Sequence, residues 1–267
     1  MMKALRHTGF CVVIIVFLTM ALAAGCSSQT TTEKPPTGET KPPATTAYAN
    51  PQLLTETAWL KEHMEDEDLV ILDAGAPEDY AAGHIKGAVS LPAHSTDVTV
   101  GAVPAMLAKP DVVDKMLGDK GVSNDSNVVV YDRQITPPAG RLFWILEYLG
   151  HKKVSVLNGG MAKWKKEGGE VTKDAPEVKA ATYTPAVNDA VYATKDEVKA
   201  MIGKPDAVLV DTRPTLEYVG GHIEGANRID WMESFTKDDP PLMKSAADLE
   251  KVYADAGVTK DKDVALY

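Results

Sequence analysis

Cysteine is almost missing from this chain. The only two, Cys11 and Cys26, fall in the first 26 of 267 residues. Everything after them lacks a disulfide, a thiolate zinc site and a thiol nucleophile. Positive charge is also short: 28 Lys+Arg stand against 38 Asp+Glu, a net charge of −10. Nucleic acid is not an expected partner, because phosphate binding needs clustered positive charge. The longest apolar run, residues 10–25, is shorter than the about 20 residues a membrane-spanning helix needs. With 44% hydrophobic and 25% charged residues, the body is neither a multi-span membrane protein nor wholly disordered.

The short apolar run suits a secretory signal. Lys3 and Arg6 precede it, and it ends Leu22-Ala23-Ala24-Gly25-Cys26. This resembles the bacterial lipoprotein signal, in which small residues precede a cysteine that is lipidated. Residues 1–25 are then a signal peptide and Cys26 the lipidation site; the alternative is an uncleaved anchor helix. Residues 26–48 are rich in Thr and Pro and lack large apolar side chains. They read as a disordered tether with a reach on the order of 70 Å when extended. An extracytoplasmic domain held to a membrane by its N-terminal lipid is the expectation.

The remainder is a repeat. Residues 69–88, LVILDAGAPEDYAAGHIKGA, align with 207–226, AVLVDTRPTLEYVGGHIEGA, at a constant offset of 138. Further on, GVSNDSNVVVY (121–131) aligns with GVTKDKDVALY (257–267) at offset 136. One fold is used twice. Each copy opens with a helix, for which Thr55 and Thr194 are the expected N-caps, Thr194 with Glu197 forming a capping box. Short apolar runs at 69–72, 128–131 and 154–157, and at 207–210 and 264–267, suit buried parallel strands. Helices are expected at 140–149 and 161–167, the latter stopped by Gly168-Gly169. Strands alternating with helices specify an α/β fold with a parallel sheet. Such sheets hold ligands beyond the C-terminal ends of their strands. Those ends are Asp73 and Asp211, Tyr131 and Tyr267, and Leu157.

Strand-Asp, then Tyr, then Gly-His-Ile-x-Gly-Ala, twice over, resembles the rhodanese (sulfurtransferase) family in its tandem form. So do VVVYD (128–132) and AGRLFWILEYLGHKKVSVLNGGMAKWKKEGGEV (139–171). The resemblance implies two rhodanese-like domains, each a parallel sheet flanked by helices. They are 49–173, catalytically silent, and 190–267, of catalytic type and incomplete, joined by a linker at 174–189. It implies transfer of sulfane sulfur from thiosulfate or 3-mercaptopyruvate to cyanide or a thiol, such as a thioredoxin-like protein, through a cysteine persulfide. No metal or organic cofactor is implied. The family's cysteine follows a strand, where backbone N–H groups and a helix N-terminus lower its pKa. At offset 136 that place is Asp132 in the first copy and the position directly after Tyr267 in the second. The chain is thus expected to stop just before the active-site loop.

The resemblance also implies that Arg213 helps bind an anionic donor, where the first copy has Gly75. The alternative is that Arg213 merely pairs with Asp211 or Glu217. Asp73 and Asp211 occur in both copies, so a structural role at the strand end is expected, as it is for His84 and His222. Glu78, Asp79 and Glu217 read as helix-start charges. Trp59, Trp144 and Trp164 read as core or interface residues, and Trp231 as a wall of the substrate cleft. Arg133 and Arg141 read as ordinary surface or interface charges, and Gly159-Gly160 as a turn. Two other functions stay open: a non-catalytic binding module tethered to the membrane, and a phosphatase, which the tandem arrangement disfavours.

Overall fold

The computed structural model describes residues 2–3, 48–134 and 136–267. The expected signal peptide and tether, with Cys11 and Cys26, lie outside the described residues except for Met2, Lys3 and Tyr48. In the first copy the chain runs β1 (Leu54–Thr55), α1 (Thr57–His63), β2 (Leu69–Asp73), α2 (Pro77–Ala82) and β3 (Val89–Ser90). It continues through α3 (Pro110–Asp119), β4 (Asn127–Tyr131), α4 (Pro137–Tyr148), β5 (Val154–Leu157) and α5 (Gly160–Lys166). The strands stand in the order β1-β5-β4-β2-β3, and all pairings are parallel.

Alternation along the strands fills both faces of this sheet. Leu72, Val128 and Val130 point to one side, against Val113 and Leu117 of α3 and Leu142, Ile145 and Leu146 of α4. Ile71, Val129 and Tyr131 point to the other, against Leu60 of α1 and Met161 and Trp164 of α5. Trp144 and Trp164 are buried, and their indole N–H groups donate to the Val191 and Glu170 carbonyls, both at 2.9 Å.

The second copy repeats the plan with α6 (Lys195–Met201), β6 (Ala207–Asp211), α7 (Thr215–Gly220), β7 (Asn227–Arg228), α8 (Ala246–Asp255) and β8 (Asp263–Leu266). β6 pairs in parallel with β7 and β8, and Met2–Lys3 lies antiparallel on the far edge of β8. The segment joining the copies is strapped to the first. Ala181 N–H donates to Gly118 O at 2.9 Å, Ala186 N–H to Leu149 O at 2.9 Å, and Asn188 N–H to Tyr148 O at 2.7 Å. Gly150 has φ +83, and a Cβ there would meet Ala186 O at 2.1 Å. Only glycine allows the strap to lie this close.

Four expectations change. Thr55 is not a helix cap: it ends β1, and its hydroxyl meets Ser155 Oγ at 2.6 Å. Glu56 takes the cap position of α1 without a side-chain bond. α4 starts at Pro137 rather than at 140, because proline suits the first helical turn, where no N–H is needed. β8 ends at Leu266, one residue before the expected limit. An antiparallel hairpin, Asp97–Val100 with Val103–Leu107, stands where no strand was expected.

Candidate functional site

The C-terminal ends of the central strands carry matching frames. In the first copy, Gly75 N–H donates to Asp73 Oδ1 at 2.9 Å, and Ala74 N–H to Tyr131 O at 2.8 Å. In the second, Arg213 N–H donates to Asp211 Oδ1 at 2.9 Å, and Thr212 N–H to Tyr267 O at 2.8 Å. Each tyrosine hydroxyl accepts a backbone N–H, Tyr131 from Ile85 at 3.2 Å and Tyr267 from Ile223 at 2.8 Å. His84 stacks on Tyr80 at 3.7 Å and His222 on Tyr218 at 3.8 Å, with each Nδ1 against the tyrosine's carbonyl. In both copies these bonds and stacks tie the turn to the strand end.

The frames hold different things. After β4, the buried Asp132 turns its carboxylate back into its own loop. Oδ1 accepts from Gln134 N–H at 3.1 Å and Thr136 N–H at 3.0 Å. Oδ2 accepts from Thr136 N–H at 2.9 Å, Thr136 Oγ1–H at 2.6 Å and Ala139 N–H at 3.1 Å. These donors converge on one anion at the N-terminus of α4, where the helix dipole adds positive potential. The loop is an anion cradle occupied by its own side chain. A cavity of about 260 Å³ beside it is lined by Asp73, Asp79, Tyr131, Asp132 and Arg133 among others. Arg133 pairs across the surface with Asp79 at 2.8 Å.

Electrostatics separate the two strand-end carboxylates. Burial raises Asp73 above the usual carboxylate range, the Tyr131 hydroxyl and Gly75 N–H pull it down, and the Asp132 charge raises it further. Burial also pushes the Tyr131 phenol up strongly. Asp211 is lowered instead, chiefly by its hydrogen bond from Arg213. Arg213 Nε meets Oδ1 at 3.0 Å and Oδ2 at 3.2 Å, while Nη2 meets Oδ2 at 2.6 Å and Gly221 O at 2.9 Å. The structure thus realises the Asp211 pairing weighed for Arg213. The guanidinium also stands 5.6 Å from the Tyr267 ring centroid. Glu78, Asp79 and Glu217 occupy first turns of α2 and α7.

Two cavities lie between the copies. The larger, about 590 Å³, is lined by Leu54, Phe143, Ile229, Trp231, Leu249 and Tyr253 among others. At the repeat offsets, Ile229, Trp231, Leu249 and Tyr253 correspond to Leu91, Ala93, Val113 and Leu117. Those four lie in the same core cluster as Ala139 and Leu142 of α4. Trp231 is brought to this cavity, with Phe235 edge-on at 6.0 Å.

The second cavity, about 330 Å³, joins Ala105, Met106, Gly140 and Arg141 of the first copy to Thr212 and Tyr267 of the second. Arg141 bonds the Asp97 carboxylate and the Ala105 carbonyl. Its side chain is only 24% exposed. Sequence reasoning placed Arg141 among ordinary charges and missed the hairpin that holds it. The alternating valines at 98 and 100 were the available signal. Among the described residues no group of three or more His, Cys, Asp or Glu is placed to hold a metal ion.

A family model described as Rhodanese-like domain matches residues 56–167 and 194–267. The chain is similar to a sulfur carrier protein, TtuD, of Thermus thermophilus, 33% identical over 82% of this chain and 83% of that protein. It is similar to the 3-mercaptopyruvate sulfurtransferase of Escherichia coli K12, 26% identical over 77% of this chain and 80% of that protein. The crystal structure of SseA from Escherichia coli, a 3-mercaptopyruvate sulfotransferase of rhodanese fold, superposes with a TM-score of 0.74 at 26% identity. That match covers 80% of this chain and 87% of that one.

Proposed function

The chain belongs to the rhodanese-like family, and from that premise we propose that it is a sulfurtransferase working through a cysteine persulfide. The thiolate that this chemistry needs stands directly after Tyr267, the place that Asp132 fills in the first copy. The observation that carries this reading is the Asp132 cradle. Four donors, three from the loop and Ala139 N–H from the first turn of α4, meet a single anion at the end of a central strand. The same loop form around a cysteine favours the thiolate, which is the reactive species.

The thiolate attacks the sulfane sulfur of thiosulfate or the sulfur of 3-mercaptopyruvate. A new S–S bond forms, and the old bond breaks with its electron pair leaving on sulfite or pyruvate. Cyanide or an acceptor thiolate then takes the outer sulfur, and the enzyme thiolate is regenerated. Covalent catalysis of this kind gives ping-pong kinetics. Arg213 holds the donor's negative charge near the cradle through its remaining N–H bonds, and Trp231 walls the cleft. The acidic body makes such a local positive site necessary, since the global field repels anions.

The gene sequence past codon 267, followed by assay of that full-length protein with thiosulfate and cyanide, tests the proposal. Cysteine at the next codon, with turnover abolished by Cys→Ser, is the expected result. Any other residue there leaves a non-catalytic tandem binding module. The same proposal sets the domain outside the cytoplasm, anchored by lipid on Cys26. Cys26→Ala is expected to move the protein from the membrane to the soluble fraction, and unchanged membrane retention would remove the anchor.

A further inference from the structure

We infer that the silent copy supplies a binding residue to the reactive copy: Arg141 reaches across the cleft to hold the anionic group of the sulfur donor. The inference rests on the sulfurtransferase reading above. The cavity of about 330 Å³ is built from both copies. Its second-copy wall is Thr212, Leu266 and Tyr267, the C-terminal ends of β6 and β8, where parallel sheets bind ligands. Of the ten residues that line it, Arg141 alone is charged. An apolar pocket with one fixed cation selects a small anion with an apolar body.

The guanidinium is held in place before any ligand arrives. Nη2 is bonded to Asp97 and to Ala105 O, the latter at 3.2 Å. Asp97 is itself steadied by His94 Nδ1 at 2.9 Å. Ala105 adopts φ +56, a left-handed conformation uncommon for alanine. That conformation accompanies a carbonyl aimed at the arginine. Nε is buried without a hydrogen-bond partner, so the guanidinium keeps donor capacity for a carboxylate or a sulfonate-like oxygen. Arg213 stands over the ring of Tyr267, 5.6 Å from its centroid, and Tyr267 lines the cavity.

The test is steady-state kinetics of the full-length protein with thiosulfate and with 3-mercaptopyruvate, comparing wild type, Arg141→Gln, Arg141→Lys and Asp97→Asn. Arg141→Gln is expected to raise KM about tenfold, a loss in the range of one charge-assisted hydrogen bond, with kcat within about twofold. Arg141→Lys is expected to recover part of the loss. Asp97→Asn keeps the cation and is expected to change KM by less than about threefold. An unchanged KM in Arg141→Gln while wild type turns over overturns the inference. So does an Asp97→Asn variant as impaired as Arg141→Gln, which means that Arg141 acts only by pinning the hairpin. If wild type turns over no donor, the sulfurtransferase reading fails instead. Calorimetric binding of thiosulfate then decides Arg141 separately: binding lost in Arg141→Gln supports it, and equal binding refutes it.

Discussion

The two copies share a frame and differ in what the frame holds. At the strand end, Gly75 leaves Asp73 with one backbone donor from its own turn, whereas Arg213 surrounds Asp211 with backbone and guanidinium donors. Beyond the next strand, the first copy fills its anion cradle with Asp132. The comparison teaches that the first copy keeps an anion cradle whole and fills it with its own carboxylate. Donors that suit a carboxylate suit a thiolate as well, so one loop form can hold either anion.

The largest expected effect breaks the comparison at Asp132. Asp132→Ala leaves Gln134, Thr136 and Ala139 N–H groups without their acceptor and is expected to cost about 3 kcal/mol in urea unfolding. Asp132→Cys is the sharper variant. If the cradle serves any anion, this thiol titrates below the about 8.5 of a free cysteine. Its alkylation rate by iodoacetamide, followed against pH, reports the value. An ordinary thiol pKa there means that the donors hold an aspartate and nothing more general.

A smaller effect separates Asp73 from Asp211 through pH. Asp73 is raised, mainly by burial. Its contribution is full below the ordinary carboxylate pKa and declines as pH rises through the raised value. Asp211 is lowered, mainly by Arg213. Its contribution is present above the ordinary pKa and is lost as pH falls through the lowered value. Urea midpoints measured across a pH series are therefore expected to move oppositely. Asp73→Asn flattens the decline on the rising side, and Asp211→Asn flattens the loss on the acid side. Parallel changes in the two variants would mean that Arg213 does not set the difference.

Much of this was legible in the sequence, because the repeat supplies an internal alignment. The parallel strands and the short helices after Asp73 and Asp211 follow from it; the stacking of His84 on Tyr80 and of His222 on Tyr218 came only with the structure. The hairpin at 97–107 was legible only in the alternation of its valines. Its counterpart in the second copy is reduced to an antiparallel bridge, Phe235 with Met243, and its valines at 98, 100 and 103 are exposed rather than buried. Asp132 was legible only as a missing cysteine, since convergence of backbone donors is a property of loop conformation. Arg141 was obscured for a related reason: its partner Asp97 is 44 residues away, and the cavity it lines forms only when both copies are present.

The smallest expected effect concerns helix starts, where one residue of register matters. The offset of 138 maps Thr194 onto Glu56, not onto Thr55. Thr194 accepts Glu197 N–H at 3.2 Å, and Glu197 Oε2 accepts Thr194 N–H at 2.8 Å, a closed capping box. Glu56 makes no such bond to α1; its carboxylate instead takes Asn158 Nδ2–H at 2.7 Å. Thr194→Ala is therefore expected to cost about 1 kcal/mol, the usual worth of an N-cap. Thr55→Ala is expected to act through β1 and Ser155 instead, leaving α1 intact. Hydrogen exchange distinguishes the two, because faster exchange in the first turn of α6 should follow only the Thr194 change. Equal acceleration in α1 and α6 by their respective alanines would restore Thr55 as a cap and undo the one-residue distinction between the copies.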